Sequence, residues 1–221
     1  MLAIGNARSL KFAVAAVLLW ATGNWRATAI TLDFSNLVGT EVAFSNGGFS
    51  FTSATNGDQF NITGVTGGAG DSVGFDGYLT ATDAFTIGSI TTNGVIQTAP
   101  VSGSAMLHIT DSVGTDLVGS VQWVDITTVG VGGILDLSGT INLTGITYPG
   151  ASSDLNALAS AGAAADSVTF QFVPAESLTQ LKNTGGQTSY SGTINAVPEP
   201  GALSLVCLAV LGLLPFVRFR K

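Results

Sequence analysis

The sequence predicts a mainly β protein, an antiparallel β-sandwich or jelly-roll-like domain with one short alanine-rich helix. Three observations support this prediction. Apolar and polar residues alternate over many short runs, which is typical of strands with one buried face. Asn-Gly and Asp-Gly dipeptides separate these runs, and glycine supplies 29 of the 221 residues. Only 10% of the residues are charged, against an average of about 25%.

The strands are predicted from alternation. It is clearest at 101–109, where Val101, Leu107 and Ile109 share one face with small residues, and Ser102 and His108 lie on the other. Nine runs are predicted as strands: 30–35, 48–53, 59–65, 84–90, 101–110, 117–129, 134–148, 167–173 and 188–197. Four turn dipeptides lie between them: Asn46-Gly47, Asn56-Gly57, Asp76-Gly77 and Asn93-Gly94.

One segment interrupts the alternation. Residues 152–166 are rich in alanine, Leu155 and Leu158 have helical spacing, and Ser152 or Ser153 can cap the first turn. The sequence therefore predicts a single short helix between strands. The segment 175–183 fits either a helix or a strand.

Residues 1–29 have the organisation of a secretory signal peptide. Arg8 and Lys11 precede an apolar run of nine residues at 12–20, and Ala27 and Ala29 place small residues at the cleavage site before Ile30. The run is too short for a spanning helix, which needs about 20 apolar residues. The alternative is an uncleaved membrane anchor.

The C-terminus predicts a short membrane span. Residues 201–217 carry no charge, and as a helix they would measure about 25 Å. Arg218, Arg220 and Lys221 follow at once and are expected to stay in the cytoplasm. The body of the protein then lies outside the membrane. The alternative is a buried core helix.

A proline-flanked carboxylate precedes this span. Pro198, Glu199 and Pro200 form a segment that cannot be helical and is expected to be extended and accessible. The order of this motif, the apolar run and the basic tail resembles the PEP-CTERM sorting domain over about the last 25 residues. Phe219 interrupts the basic cluster and departs from that pattern. The resemblance implies processing by exosortase, a membrane-embedded transpeptidase-like enzyme, in a Gram-negative bacterium that makes exopolysaccharide.

Three regions follow from these features. They are a signal peptide at 1–29, an exported β-sandwich domain at 30–196, and a sorting segment at 197–221 with its span at 201–217 and its basic tail at 218–221.

The charge of the body excludes one class of partner. All 14 acidic residues and one of the seven basic residues, Lys182, fall between residues 30 and 200, so this segment carries a formal charge of −13. Nucleic-acid binding requires Lys and Arg on the surface, which this segment lacks. We interpret the acidity as favouring solubility. The lone cysteine, Cys207, lies in the apolar run, so the body can form no intrachain disulfide.

No residue pattern predicts a catalytic site. His108 is the only histidine, and a Ser–His–Asp triad would need it as the base, with Asp111 or Asp116 close in sequence. We interpret it as an ordinary residue on the polar face of a strand. Asp125 and Asp136 could form a glycosidase pair, but chance pairing is expected in an acidic chain. The protein is therefore not expected to be an enzyme.

Two weaker candidates concern ligands. The glycine-rich loop at 67–77 contains Asp71 and Asp76, which together with backbone carbonyls could bind calcium. The alternative is a flexible surface loop, and no cofactor is otherwise expected. Trp123 is either a core residue or a platform for a sugar ring.

These observations predict an exported cell-envelope or extracellular-matrix protein with a structural role, associated with exopolysaccharide or biofilm. Its expected partners are exosortase, the inner membrane during sorting, and extracellular polysaccharide. The alternatives are a polysaccharide-binding or adhesin module assisted by calcium and, less favoured, a hydrolase.

Overall fold

A computed structural model describes residues 29–81, 84–129 and 136–196. This part of the chain forms a mainly β structure, with antiparallel strand pairs and two short helices. The strands are β1 Thr31–Asn36, β2 Val42–Ser45, β3 Gly48–Phe51, β4 Phe60–Thr66, β5 Asp76–Ala81, β6 Phe85–Ile87, β7 Thr91–Asn93, β8 Ile96–Ser102, β9 Ser104–Thr110, β10 Asp116–Val129, β11 Asp136–Thr147, β12 Ala163–Gln171, β13 Gly186–Thr188 and β14 Tyr190–Ala196. The helices are α1 Ser153–Ala161 and α2 Leu178–Thr184.

Eight strands close into a barrel, which corrects the expected sandwich. The order is β1-β4-β5-β9-β10-β11-β12-β14, and β14 pairs with β1 to complete the ring. A sandwich would leave two sheets with free edges. Here β10 is 14 residues long and β11 is 12, and register shifts interrupt the β1–β4 and β10–β11 ladders. Such bulges bend strands and increase their twist, which favours closure.

A smaller sheet extends from one end of the barrel. The first half of β10 pairs with β9, and its second half pairs with β8. From β8 the sheet continues through β6, β3 and β2 to β13, while β7 forms a hairpin with β8. Phe49 packs edge-on against Trp123 at 4.8 Å, and Trp123 stacks on Phe170 at 6.2 Å between ring centres. These rings join the smaller sheet to the barrel core.

The predicted faces of the 101–110 run are confirmed, but the run forms two strands. Leu107 and Ile109 are buried while Met106 is exposed. Gly103 separates β8 from β9 and has a φ of +131°, a backbone conformation that residues other than glycine rarely adopt. The two strands therefore pair with β10 at different places.

The helix predicted at 152–166 is confirmed for its first part, Ser153–Ala161, and is wrong for its end. Ser152 caps α1, and Gly162 ends it with a φ of +71°. Residues 163–166 are the start of β12, because alternation resumes there with Ala164 and Asp166 facing inward. The undecided segment at 175–183 contains most of α2, which Ser177 caps.

Several elements were not predicted. Asp76-Gly77 starts β5 instead of forming a turn, and a Cβ at Gly77 would overlap the ring of Phe60. Strands β2, β7 and β13 are only three or four residues long, too short for a clear period. Neither helix in the described part of the chain has the length and apolar character that crossing a membrane requires.

Candidate functional site

The chain enters and leaves the barrel at one place. Thr31 pairs with Asn195, and its hydroxyl donates to the Asn195 side-chain oxygen at 2.8 Å. The amide of Ala196 donates to the carbonyl oxygen of Ile30 at 2.9 Å. We call this end, with the N-terminus of α1 beside it, the chain-end pole. The first and last residues of the body therefore lie side by side.

The residue that follows the predicted cleavage site is buried in the barrel, whereas the residue before the site is exposed. Ile30 is 1% exposed, whereas Ala29 is exposed. Gly67 has a φ of +78°, and a Cβ there would overlap the carbonyl oxygen of Ala29. The bond between Ala29 and Ile30 is therefore held against the loop between β4 and β5. Ala27 lies outside the described residues.

The predicted sorting residues also lie outside the described residues: Pro198, Glu199, Pro200, Arg218, Arg220 and Lys221. The last described residue is Ala196, in a strand that pairs with β1 on one side and with β12 on the other. In sequence, the motif therefore begins two residues after a strand that is bonded along both edges.

Asp71 caps helix α1 from the loop between β4 and β5. Its carboxylate accepts bonds from the Ser152 hydroxyl at 2.8 Å, from the Ser153 amide and hydroxyl, each at 2.7 Å, and from the Asp154 amide at 3.1 Å. Burial opposes ionisation of this group, but the bonds from Ser153, Ser152 and Asp154 together hold the pKa of Asp71 well below its usual range. The second calcium candidate, Asp76, starts β5, and burial followed by the charge of Asp58 raises its pKa.

Asp154, at the start of α1, in turn accepts hydrogen bonds from the loop between β4 and β5. Its carboxylate accepts from the Ala69 amide at 2.6 Å and from the Ser72 amide and hydroxyl at 3.1 and 3.2 Å. Asp154 is 1% exposed, and its oxygen and the Ile30 side chain both lie where a Cβ of Gly68 would be. Asp71 and Asp154 thus fasten the loop and the helix to each other beside Ile30.

Tyr148 extends this network to the turn between β9 and β10. Its hydroxyl donates to Asp111 at 2.6 Å and accepts from the Ser152 amide at 3.1 Å. Asp111 also accepts from the amides of Val113 and Thr115 at 2.9 and 2.8 Å. The bond from Tyr148, followed by those from the backbone, lowers the pKa of Asp111. The β4–β5 loop, the segment between β11 and α1, and the β9–β10 turn are therefore connected by hydrogen bonds between polar groups.

The expectation that no residue pattern points to a catalytic site was wrong about the residues around Ser72. Residues 70–74 have the G-x-S-x-G spacing of a nucleophile elbow. In such an elbow the serine is exposed between a strand and a helix. Here Ser72 is 0% exposed, lies between two strands, and bonds to Asp154. The serine of this motif instead joins the β4–β5 loop to α1 through its hydrogen bonds to Asp154.

His108 lies in a polar cluster on the outer barrel wall. Its ring stacks parallel to Tyr78 at 4.6 Å, and its Nδ1 lies 3.2 Å from Asp116. Thr110 donates to the same carboxylate at 2.7 Å. Burial, followed by the charges of Asp116 and Asp58, raises the pKa of Tyr78. Among the described residues, no serine hydroxyl bonds to His108, whose side-chain partner is Asp116.

Trp123 is a core residue, 2% exposed, which decides between the two sequence interpretations. Asp125 follows on β10 and is half-buried, and Asp136 begins β11. Within residues 29–81, 84–129 and 136–196, no three His, Cys, Asp or Glu side chains form a group that could hold a metal ion.

Comparison of the chain with protein-family models, curated proteins and solved structures finds no significant match.

Proposed function

We propose that this chain is an exported precursor whose C-terminal segment is recognised and processed by exosortase. Its β-barrel body is then delivered to the cell envelope or the extracellular polymer, where it has a structural role. The observation that supports the proposal is the bond between Ala196 and Ile30: the two ends of the body lie together, so both proposed processing segments would be attached at the same end of it. Pro198 follows Ala196 after one residue.

The short spacing limits where the body can lie in the precursor. Five residue steps, with four residues between, separate Ala196 from Gly201, the start of the apolar run. At about 3.4 Å per residue they reach about 17 Å at most. The chain-end pole is therefore expected to face the inner membrane until the sorting segment is processed.

The closed fold suits a passive role outside the cell. The closed ring leaves fewer unpaired strand edges than an open sheet of the same strands, which limits edge-to-edge aggregation, and the free edges that remain in the smaller sheet belong to the short strands β7 and β13. Its outer surface carries hydroxyl pairs such as Ser167 and Thr193 at 3.0 Å. The single basic side chain of the body, Lys182, donates to the Gly88 carbonyl at 2.6 Å. This surface offers no basic patch for nucleic acid.

Enclosure of the Ala29–Ile30 bond implies an order of events. A protease binds its substrate as an extended strand, and β1 cannot provide one while it is paired with β4 and β14. Signal-peptide removal therefore precedes barrel closure. Closure itself waits until β14, the last strand, has been exported.

The experiment replaces Pro198, Glu199 and Pro200 with alanine in the full chain and follows the C-terminal mass of the protein in cells. We expect the variant to accumulate with its apolar run attached. Pro215→Ala is the matched control, because it removes a proline from the run without changing the motif. Normal processing of the triple variant would refute recognition of the motif.

The alternative, a polysaccharide-binding or adhesin module assisted by calcium, is tested separately. A glycan array with and without a chelator would detect it. Binding that the chelator abolishes would favour this alternative over the structural role.

A further inference from the structure

The barrel interior contains an isolated carboxyl group. Asp166 lies on β12 with its side chain facing inward and is 8% exposed. Its Oδ1 atom is buried and has no hydrogen-bond partner. The residues opposite it in the two neighbouring strands are Ile141 and Ile194, both buried. Oε2 of the half-buried Glu176 also has no partner, but of the two carboxyl groups Asp166 is the one that lines the barrel cavity.

The surroundings of Asp166 are almost entirely apolar. It lines a cavity of about 20 Å³ to which nine strands each contribute one aliphatic or phenyl side chain. This volume is enough for about one water molecule. The other polar residues of the lining are Gln59, whose side-chain oxygen accepts from the Leu79 amide, and Tyr190.

No charged group among the described lining residues compensates Asp166. In that part of the chain, Tyr190 is the one other titratable residue of the cavity wall. Its hydroxyl donates to the Gln59 carbonyl at 2.9 Å, and burial raises its pKa, so it stays neutral. Among the described residues, no Lys, Arg or His lines the cavity. An ionised carboxylate in such a site would lose most of its hydration without gaining a partner, which favours the neutral acid.

We propose that Asp166 is a proton-dependent switch inside the barrel. As the neutral acid it is compatible with the closed ring. Loss of its proton places an unpaired charge between β11 and β14 and favours states in which water reaches β12.

The expected pH dependence follows from the direction of this effect. Burial raises the pKa of Asp166 from 3.8 to about 8. The folded protein therefore keeps a proton that the unfolded chain loses, and stability falls as pH rises from about 4 to about 8. Each pH unit in this window increases the unfolding equilibrium constant by up to about tenfold through this group. Below about pH 4 the full stabilising contribution of the proton on Asp166 is present.

The test compares urea unfolding of the full chain with that of Asp166→Asn at several pH values between about 5 and about 8. We expect the wild type to lose stability with rising pH and the variant to lose most of this dependence. Asp33→Asn, on the outer face of β1, is the control and should keep the wild-type slope. Asp76, whose pKa is also raised by burial, is the same in the wild type and in each variant, so it does not contribute to the difference between their slopes.

A second measurement does not depend on the folding of any variant. The infrared band of a protonated carboxyl group should be present in the folded wild type at about pH 7 and disappear on unfolding, because ordinary carboxyl groups are ionised there. Absence of the band in the folded protein would overturn the proposal. So would an Asp166→Asn slope equal to that of the wild type.

Discussion

The backbone amide of Ala196 donates a hydrogen bond of 2.9 Å to the carbonyl oxygen of Ile30. This bond joins the last strand of the body to the residue before its first strand. Barrel closure therefore depends on a contact between the most distant parts of the body, and such contacts form late because loop closure is costly.

Removal of β14 should abolish the fold, whereas removal of the sorting segment should not. A chain that ends at residue 196 keeps every described strand, and we expect its urea midpoint to match that of the full chain. A chain that ends at residue 189 leaves β1 and β12 with open edges, and we expect protease sensitivity and no cooperative transition. A cooperative transition in the shorter chain would contradict the role of β14 in closure.

The order of processing gives a second prediction. Purified precursor that has folded with residues 1–29 attached should resist signal peptidase, because Ile30 is buried and β1 is paired on both sides. The same precursor kept unfolded in urea and then diluted with the enzyme should be cut after Ala29. Mass spectrometry of the two samples checks this. Equal cleavage of both would exclude the proposed order.

Gly139→Ala should strain the core. A Cβ at Gly139 would overlap the ring of Trp123, which is packed against Phe49 and Phe170. Overpacking of this kind costs about 1–3 kcal/mol, measurable by urea unfolding. In a Trp123→Leu background the same substitution should cost much less, since the ring is gone. An equal cost in both backgrounds would assign the effect to the backbone.

Asp71→Asn should weaken the junction between loop and helix. The amide offers one acceptor oxygen where the carboxylate receives four bonds. By analogy with lost helix caps, we expect a cost of about 1 kcal/mol. Because the pKa of Asp71 is lowered in the folded state, its contribution is present above about pH 4 and is lost as pH falls below that value. The variant should therefore show a smaller loss of stability in acid.

Calcium provides the control for this site. If Asp71 acts only as a cap, excess calcium leaves the urea midpoints of wild type and Asp71→Asn unchanged. A rise in the wild type that the variant lacks would instead indicate cation binding at the loop.

Local alternation could predict the strands but not how they close. The runs at 117–129 and 134–148 correspond closely to β10 and β11. Alternation has the same period in a sandwich wall and in a barrel wall. The difference lies in long-range pairs such as β14 with β1, which leave no local pattern in the sequence.

The local sequence did not indicate which polar residues lie in the interior. The alanines around Gly162 favour a helix, so the predicted helical segment at 152–166 extends to Asp166, whereas Asp166 lies on the inward face of β12. Asp154 and Tyr148 had no signal beyond their residue type, because their partners come from loops distant in sequence. Asp71 was singled out correctly as a loop carboxylate, but its partners are helix N–H and hydroxyl groups.

The most direct test of the proposed function is the intact mass of the protein recovered from outside wild-type cells. We expect a chain that begins at Ile30 and lacks the apolar run at 201–217 and the basic tail. A recovered chain that keeps residues 201–221, or that begins at Met1, would contradict it.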